Sequence, residues 1–331
     1  MNSTFIMLCG LPASGKSTYA KTLLKEYEGA VILSSDEIRA TILGDVNDQT
    51  QNSKVFEIMG KETIASLKDG KTVIYDATNI SRKKRAGFLR QLPKDAHKEI
   101  HYCHVRFDEA FRSNTERERS VPNHVIDRMI RSFQMPVFGE GWDEMVYVEK
   151  NQNVDAVATG AWLLSMISMN EAHKEGHNIM KGLKWGHPEF KAIYDLPQDS
   201  KYHSFSVSRH SELVFEEIAQ NHKEDTPLVI ASLMHDIGKA YTKKFEDSKR
   251  QPSRYAHYYG HEYAGSMLAF QVLKDMGIED IYLIYEVTTL VQFHMSMYNK
   301  SEKYQANVKK LLGDKMYERL EALNKADMGA K

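Results

Sequence analysis

Residues Gly10-Leu11-Pro12-Ala13-Ser14-Gly15-Lys16-Ser17 spell G-x-x-x-x-G-K-[ST] between an apolar run, Thr4–Cys9, and a helical stretch over residues 16–27. No other feature restricts the fold of this chain as much. The glycines let the backbone wrap phosphate oxygens, while successive N–H groups and the helix N-terminus face the anion. Gly10, Ser14, Gly15, Lys16, Ser17 and Thr18 are therefore expected to hold ATP or another nucleoside triphosphate. Lys16 reaches the β- and γ-phosphates, and the Ser17 hydroxyl ligates Mg²⁺. Further apolar runs at 30–33, 72–75, 100–107 and 145–148 alternate with helical stretches. This predicts a three-layer α/β domain around a parallel sheet over residues 1–150.

A chain of 331 residues leaves room for a second domain. With 42% hydrophobic and 27% charged residues it is an ordinary globular composition. A formal net charge of −1 excludes a global basic field, so any polyanion site must be a local patch. The two cysteines, Cys9 and Cys103, build neither a disulfide framework nor a zinc finger, which points to a reducing cytoplasm. No apolar stretch approaches the ~20 residues that cross a bilayer, and no signal-peptide pattern stands at the N-terminus.

Asp36, in Ser34-Ser35-Asp36-Glu37-Ile38-Arg39, falls just after the second apolar run. Carboxyl ends of parallel strands line the ligand crevice, so Asp36 is expected opposite the P-loop, placed to take a proton from an attacking hydroxyl. Its other reading is a helix N-cap. Arg39 lies three residues on, on the same helical face, and a guanidinium there suits an acceptor phosphate. Asp76 closes the third run and either orients Mg²⁺ through water or caps the next helix. Residues 82–94 hold six basic and no acidic side chains, a landing strip for a phosphate backbone or a solvated helix face. Arg117, with Arg119 as second choice, reads as a lid arginine closing on the γ-phosphate or as one of several surface Glu/Arg pairs.

Taken together, residues 1–150 resemble the kinase domain of the polynucleotide 5′-kinase family. The P-loop, Asp36 with Arg39, Thr78-Asn79, and Asn114-x-x-Arg117 before Val121-Pro122 carry the resemblance. It implies that Asp36 is the general base, that Arg39 holds the acceptor phosphate and that Arg117 contacts ATP. The sequence departs from the family at Asp76-Ala77-Thr78-Asn79, where the pattern has aspartate directly before Thr-Asn.

Residues 151–200, punctuated by glycine and proline, read as a junction, and residues 201–331 as an all-α domain of helical periods. There the chain carries His210, His235-Asp236-Ile237-Gly238-Lys239, His261, His294 and Asp327. Gly238 reads as the C-cap of an apolar helix ending in His235-Asp236. Imidazoles together with carboxylates suit Mn²⁺, Fe²⁺, Zn²⁺, Ni²⁺ or Co²⁺. The H…HD…D order of His210, His235, Asp236 and Asp327 resembles the HD phosphohydrolase superfamily. His261 and His294 stand where some of its members add two ligands, which implies two metal ions bridged by Asp236, with a one-metal site as the alternative. Lys239 either neutralises a phosphate oxygen or pairs with a helix end. Residues 203–210 and 258–262 resemble the HD domain of bacterial tRNA nucleotidyltransferases, a domain with 2′,3′-cyclic phosphodiesterase and phosphatase activity. No nucleotidyltransferase motif precedes it.

A 5′-kinase joined to such a hydrolase resembles end-healing proteins. The implied substrates are RNA or DNA ends, with a ligase acting downstream. Two other readings stay open: a small-molecule or nucleoside kinase fused to a nucleotidase or deoxynucleoside triphosphatase, and a nucleotide-gated switch.

Overall fold

The computed structural model describes residues 3–117, 120–149, 159–201 and 204–330. Arg119 and His203 lie outside them. The chain divides into two compact units, Met1–Met129 with Pro136–Gln152, and Ile130–Met135 with Asn153–Lys331.

The first unit is the expected α/β domain. Its strands are β1 (Thr4–Cys9), β2 (Val31–Ser34), β3 (Val73–Asp76), β4 (His97–His104) and β5 (Glu144–Glu149), in the order β2-β3-β1-β4-β5. All four pairings are parallel. β1 runs down the centre with Phe5 to Cys9 buried, because helices cover both faces. Helix α1 (Lys16–Glu26) lays Ala20 and Leu23 on Ile6, Leu8 and Ile74. Helices α2 (Ser35–Leu43), α3 (Asn52–Lys68), α4 (Arg82–Leu89), α5 (Phe107–Thr115) and α6 (Asn123–Ile130) complete the layers. β4 begins three residues before the apolar run, because the His-Lys-Glu sequence pairs with the start of β1.

The basic stretch at 82–94 is not an open strip. Arg85 is fully buried, with Nε and Nη2 donating to the Glu140 carboxylate at 2.8 and 2.6 Å and Nη1 to the Asn79 carbonyl at 2.8 Å. Its guanidinium is a core strut, so only the remaining basic residues face outward.

The second unit is helical around an apolar axis. Helices α7 (Thr159–Ser168), α8 (Gly176–Gly186) and α9 (Pro188–Ile193) occupy the stretch expected to be a junction, and they belong to this unit. They are followed by α10 (Val207–Asn221), α11 (Thr226–Met234), a short α12 (Lys239–Thr242), α13 (His261–Asp275), α14 (Ile281–Phe293), α15 (Glu302–Leu312) and α16 (Asp314–Gly329). α11 is buried from Leu228 to Met234, as befits a helix apolar on every side. Asp225 caps it by accepting from the Leu228 N–H, and Pro227 sits in its first turn, where no backbone donor is needed. The unit is not wholly α. An antiparallel hairpin, β6 (Lys244–Glu246) with β7 (Pro252–His257), separates α12 from α13.

Candidate functional site

In the first unit the P-loop bridges β1 and α1. Gly15 adopts φ +84° to turn the chain into the helix, a conformation natural to glycine. A Cβ on Gly10 would sit 2.4 Å from the Cys103 carbonyl, so only glycine lets the loop pass β4. Lys16 is buried and donates to the Leu11 carbonyl at 2.6 Å and the Ser14 hydroxyl at 3.2 Å. Burial pushes its ammonium below the ordinary lysine range against the pull of Asp76, and the nearby Arg117 charge pushes the same way. Arg117 is thus near enough to the P-loop lysine for its charge to be felt there. Asn114, near the end of α5, is buried, and its amide accepts from the Val121 N–H at 2.8 Å and donates to the Val121 carbonyl at 2.7 Å.

The register places the other groups. Asp76 pairs with Leu8 on one side and Ser34 on the other, so three adjacent strand ends deliver the P-loop, Asp76 and Asp36. Asp76 accepts from the Ser17 hydroxyl at 2.8 Å, and it does not cap α4, which starts after Ser81. Nor does Asp36 cap α2: Ser34 does, accepting from the Asp36 and Glu37 N–H groups. Asp36 instead sits in the first turn, half-exposed, held at 2.7 Å by buried Arg39. Arg39 also donates to Asn52 at 3.0 Å. Its guanidinium thus spans Asp36 and α3, and its first contact is with the candidate base.

In the second unit six side chains from five elements converge. α10 supplies His210, the end of α11 supplies His235 and Asp236, α13 opens on His261, α14 ends at His294 and α16 supplies Asp327. All six are buried. Donor atoms of His210, His235 and Asp236 lie within 4.8 Å of one another, and so do those of Asp236, His261 and His294. Asp327 joins the first group with Oδ1 2.9 Å from His210 Nε2. Asp236 is common to both, with Oδ2 3.4 Å from His235 Nε2 and Oδ1 3.4 Å from His261 Nε2.

Sequence reasoning missed what orients these rings. Each Nδ1 meets a backbone carbonyl: His210 with Ala330 at 2.7 Å, His235 with Ser232 at 2.9 Å, His261 with Tyr258 at 2.9 Å and His294 with Val291 at 2.7 Å. A carbonyl only accepts, so every Nδ1 carries hydrogen and every neutral ring turns its Nε2 lone pair inward. Nε2 atoms then face each other at 3.3 Å (His235 and His210) and 3.1 Å (His261 and His294). Facing lone pairs beside shared carboxylates are a donor set that suits divalent cations. Burial lowers His294 to about 3, which keeps it a neutral donor.

Lys239 is tied to the cluster. It opens α12, buried, with Nζ 2.6 Å from Asp236 Oδ2 and 2.7 Å from Gln198 Oε1. Gly238 is not a left-handed cap. Its φ is −74°, and a Cβ there would lie 2.1 Å from the His261 carbonyl. It is glycine because α13 passes against its backbone. Tyr298, also unanticipated, donates to Asp327 Oδ2 at 2.8 Å.

The AAA domain family model matches residues 5–136, and the HD domain model matches residues 201–327. An L-seryl-tRNA(Sec) kinase of Methanococcus maripaludis is 26% identical over 156 residues, covering 45% of this chain and 60% of that protein. A multifunctional CCA protein of Nitrosococcus oceani is 26% identical over 125 residues, 38% of this chain and 29% of that protein. The chain thus spans less than two thirds of either relative. A chain of a Pnkp1/Rnl/Hen1 RNA repair complex overlays with a TM-score of 0.36 at 22% identity, over 38% of this chain and 42% of that one. So distant an overlay says nothing about function. No helix among the described residues is long and apolar enough to cross a membrane. The chain carries a kinase-like P-loop domain, matched by the AAA domain model, followed by an HD domain.

Proposed function

We propose that this chain heals broken nucleic-acid ends. The P-loop domain transfers the γ-phosphate of ATP to a 5′-hydroxyl polynucleotide end. The HD domain removes a 2′,3′-cyclic phosphate, or a 2′- or 3′-phosphate, from the opposite end. Ends so treated are what a ligase requires, and a ligase is the partner expected downstream. The observation that supports the reading best is Asp236, whose two oxygens face two separate histidine groups.

In the kinase reaction Asp36 takes the proton of the attacking hydroxyl, and Arg39 fixes the carboxylate at 2.7 Å. The P-loop amides, Lys16 and Arg117 meet the charge on the transferred phosphoryl group. Ser17 and Asp76, joined by a hydrogen bond, would hold the Mg²⁺ that accompanies ATP.

In the hydrolase, His210, His235, Asp236 and Asp327 form one ligand set, and Asp236, His261 and His294 the other. Divalent ions held there would supply Lewis acidity and lower the pKa of a water so that it can attack phosphorus as hydroxide. The carbonyl-bound Nδ1–H groups lock the ring planes, and Lys239 brings positive charge to the Asp236 edge, where a phosphate oxygen would lie.

Arg85 favours a second reading. Its burial removes one charge from the strip expected to hold a phosphate backbone, which suits a small hydroxyl acceptor for the P-loop domain. Incubation of a 5′-hydroxyl, 2′,3′-cyclic phosphate RNA with ATP and Mn²⁺, followed by end-group analysis, separates them. The proposal expects a labelled 5′-phosphate and a free 3′-terminal diol. Turnover of mononucleotides with no change at oligonucleotide ends would establish the second reading instead.

A further inference from the structure

The β6–β7 hairpin exposes groups that a folded surface ordinarily covers. Phe245, Tyr255 and Tyr259 are 49%, 39% and 54% exposed. The segment from Lys243 to His257 carries five Lys/Arg residues against two acidic ones in a chain of net charge −1. One of the two, Asp247, spends its carboxylate on the tip of the hairpin, accepting from the Lys249 and Gln251 N–H groups. Basic side chains and a histidine lie beside the rings. The Arg254 guanidinium lies 5.6 Å from the Tyr255 ring centre, the Lys243 ammonium, paired with Asp199 at 2.6 Å, lies 5.8 Å from that of Phe245, and His257 stacks on Tyr259 at 5.3 Å with 10° between planes. Exposed flat rings interleaved with positive charge are the elements that bind single-stranded nucleic acid, bases on the rings and phosphates on the cations.

The hairpin is also rooted in the histidine cluster. It leaves α12, whose first residue is Lys239, and returns into α13, whose first residue is His261. Tyr258, between Tyr259 and the cluster, accepts from His261 Nδ1 through its carbonyl, and its hydroxyl donates to the Gln198 carbonyl. The Gln198 side chain accepts from Lys239, which touches Asp236. A line of contacts therefore runs from Tyr258, next to the exposed Tyr259 in the chain, to the carboxylate shared by the two histidine groups.

We propose that this hairpin is the binding platform for the single strand whose terminal phosphate enters the HD site, its bases stacking on Phe245, Tyr255 and Tyr259 and its phosphates meeting Lys249, Arg250 and Arg254. The proposal rests on the reading of the HD domain as acting on polynucleotide ends. Stacking is indifferent to base identity, so the platform confers a preference for single strands over duplexes and for oligonucleotides over mononucleotides, without sequence specificity.

The test is fluorescence anisotropy of the full chain with a labelled 3′-phosphorylated oligouridylate. Phe245→Ala/Tyr255→Ala/Tyr259→Ala weakens binding about tenfold or more. A second variant, Lys249→Ala/Arg250→Ala/Arg254→Ala, weakens it and flattens its dependence on salt, since fewer phosphates are neutralised. Circular dichroism verifies that both fold. Binding of either variant as tight as that of the unaltered chain overturns the proposal, as does a duplex of the same length binding as well as the single strand. Hydrolysis by the unaltered chain of a 2′,3′-cyclic phosphate at the end of an oligouridylate reports on the metal centre by itself. Its absence would sink the hydrolase reading while leaving the anisotropy result to judge the hairpin.

Discussion

Ser17 Oγ donates a 2.8 Å hydrogen bond to Asp76 Oδ2, joining the end of the P-loop to the end of β3. A carboxylate on the P-loop hydroxyl is how P-loop enzymes complete a Mg²⁺ site. Asp76→Asn keeps an acceptor for Ser17 and loses the charge. We expect 5′-phosphorylation to fall roughly 10–100-fold with a raised Mg²⁺ requirement, read from initial rates across a Mg²⁺ titration. Rates equal to those of the unaltered chain would make Asp76 a purely structural partner.

Two histidine groups sharing Asp236 predict two ions per chain. Elemental analysis of His261→Ala/His294→Ala should find the second ion gone and the first retained. Asp236→Ala should lose both. Equal metal content in the double variant and the unaltered chain would show that only the His210, His235, Asp327 side binds.

The two centres differ in donor chemistry, hard oxygens near Ser17 and imidazoles around Asp236, so chelation should separate them. After removal of bound metal, Mg²⁺ by itself is expected to restore phosphorylation, and Mn²⁺, Co²⁺ or Ni²⁺ to be needed for hydrolysis. Full recovery of both activities with Mg²⁺ contradicts the assignment of imidazole ligands.

Glu140→Ala strips Arg85 of its carboxylate inside the core. An unpaired buried guanidinium costs about 3–5 kcal/mol. Urea unfolding followed by ATP binding should show the P-loop domain destabilised by that amount. A shift under about 1 kcal/mol would mean that the Asn79 carbonyl and solvent suffice.

Gly238→Ala places a methyl 2.1 Å from the His261 carbonyl. α13 must then move, taking His261 out of reach of Asp236. The expected result is a loss of about 1–3 kcal/mol in thermal stability together with the second ion. An unchanged metal content would show that the backbone at 238 yields without disturbing α13.

How much of this was legible in the sequence follows from the range of each interaction. β1 and the P-loop are visible because an apolar run, a glycine pattern and a helix are contiguous. α11 is visible because it is apolar on every side, and the histidines and aspartates it helps gather keep a recognisable order. The hairpin was not, because β6 and most of β7 are solvent-facing and carry no alternation of apolar and polar residues. Arg85 looked like one charge in a basic run, since Glu140, its partner, lies 55 residues on. Gly238 looked like a helix cap because a close approach from α13 leaves no local mark. The carbonyls that set the histidine tautomers belong to the backbone and have no sequence signature at all.

The most direct test of two independent centres on one chain is a crossed activity measurement. Asp36→Ala and Asp236→Ala proteins are each given a 5′-hydroxyl, 2′,3′-cyclic phosphate RNA with ATP and metal. We expect Asp36→Ala to lose phosphorylation by roughly 10²–10⁴-fold and to keep hydrolysis, and Asp236→Ala to do the reverse. Loss of both activities in either variant, or loss of neither, contradicts the account.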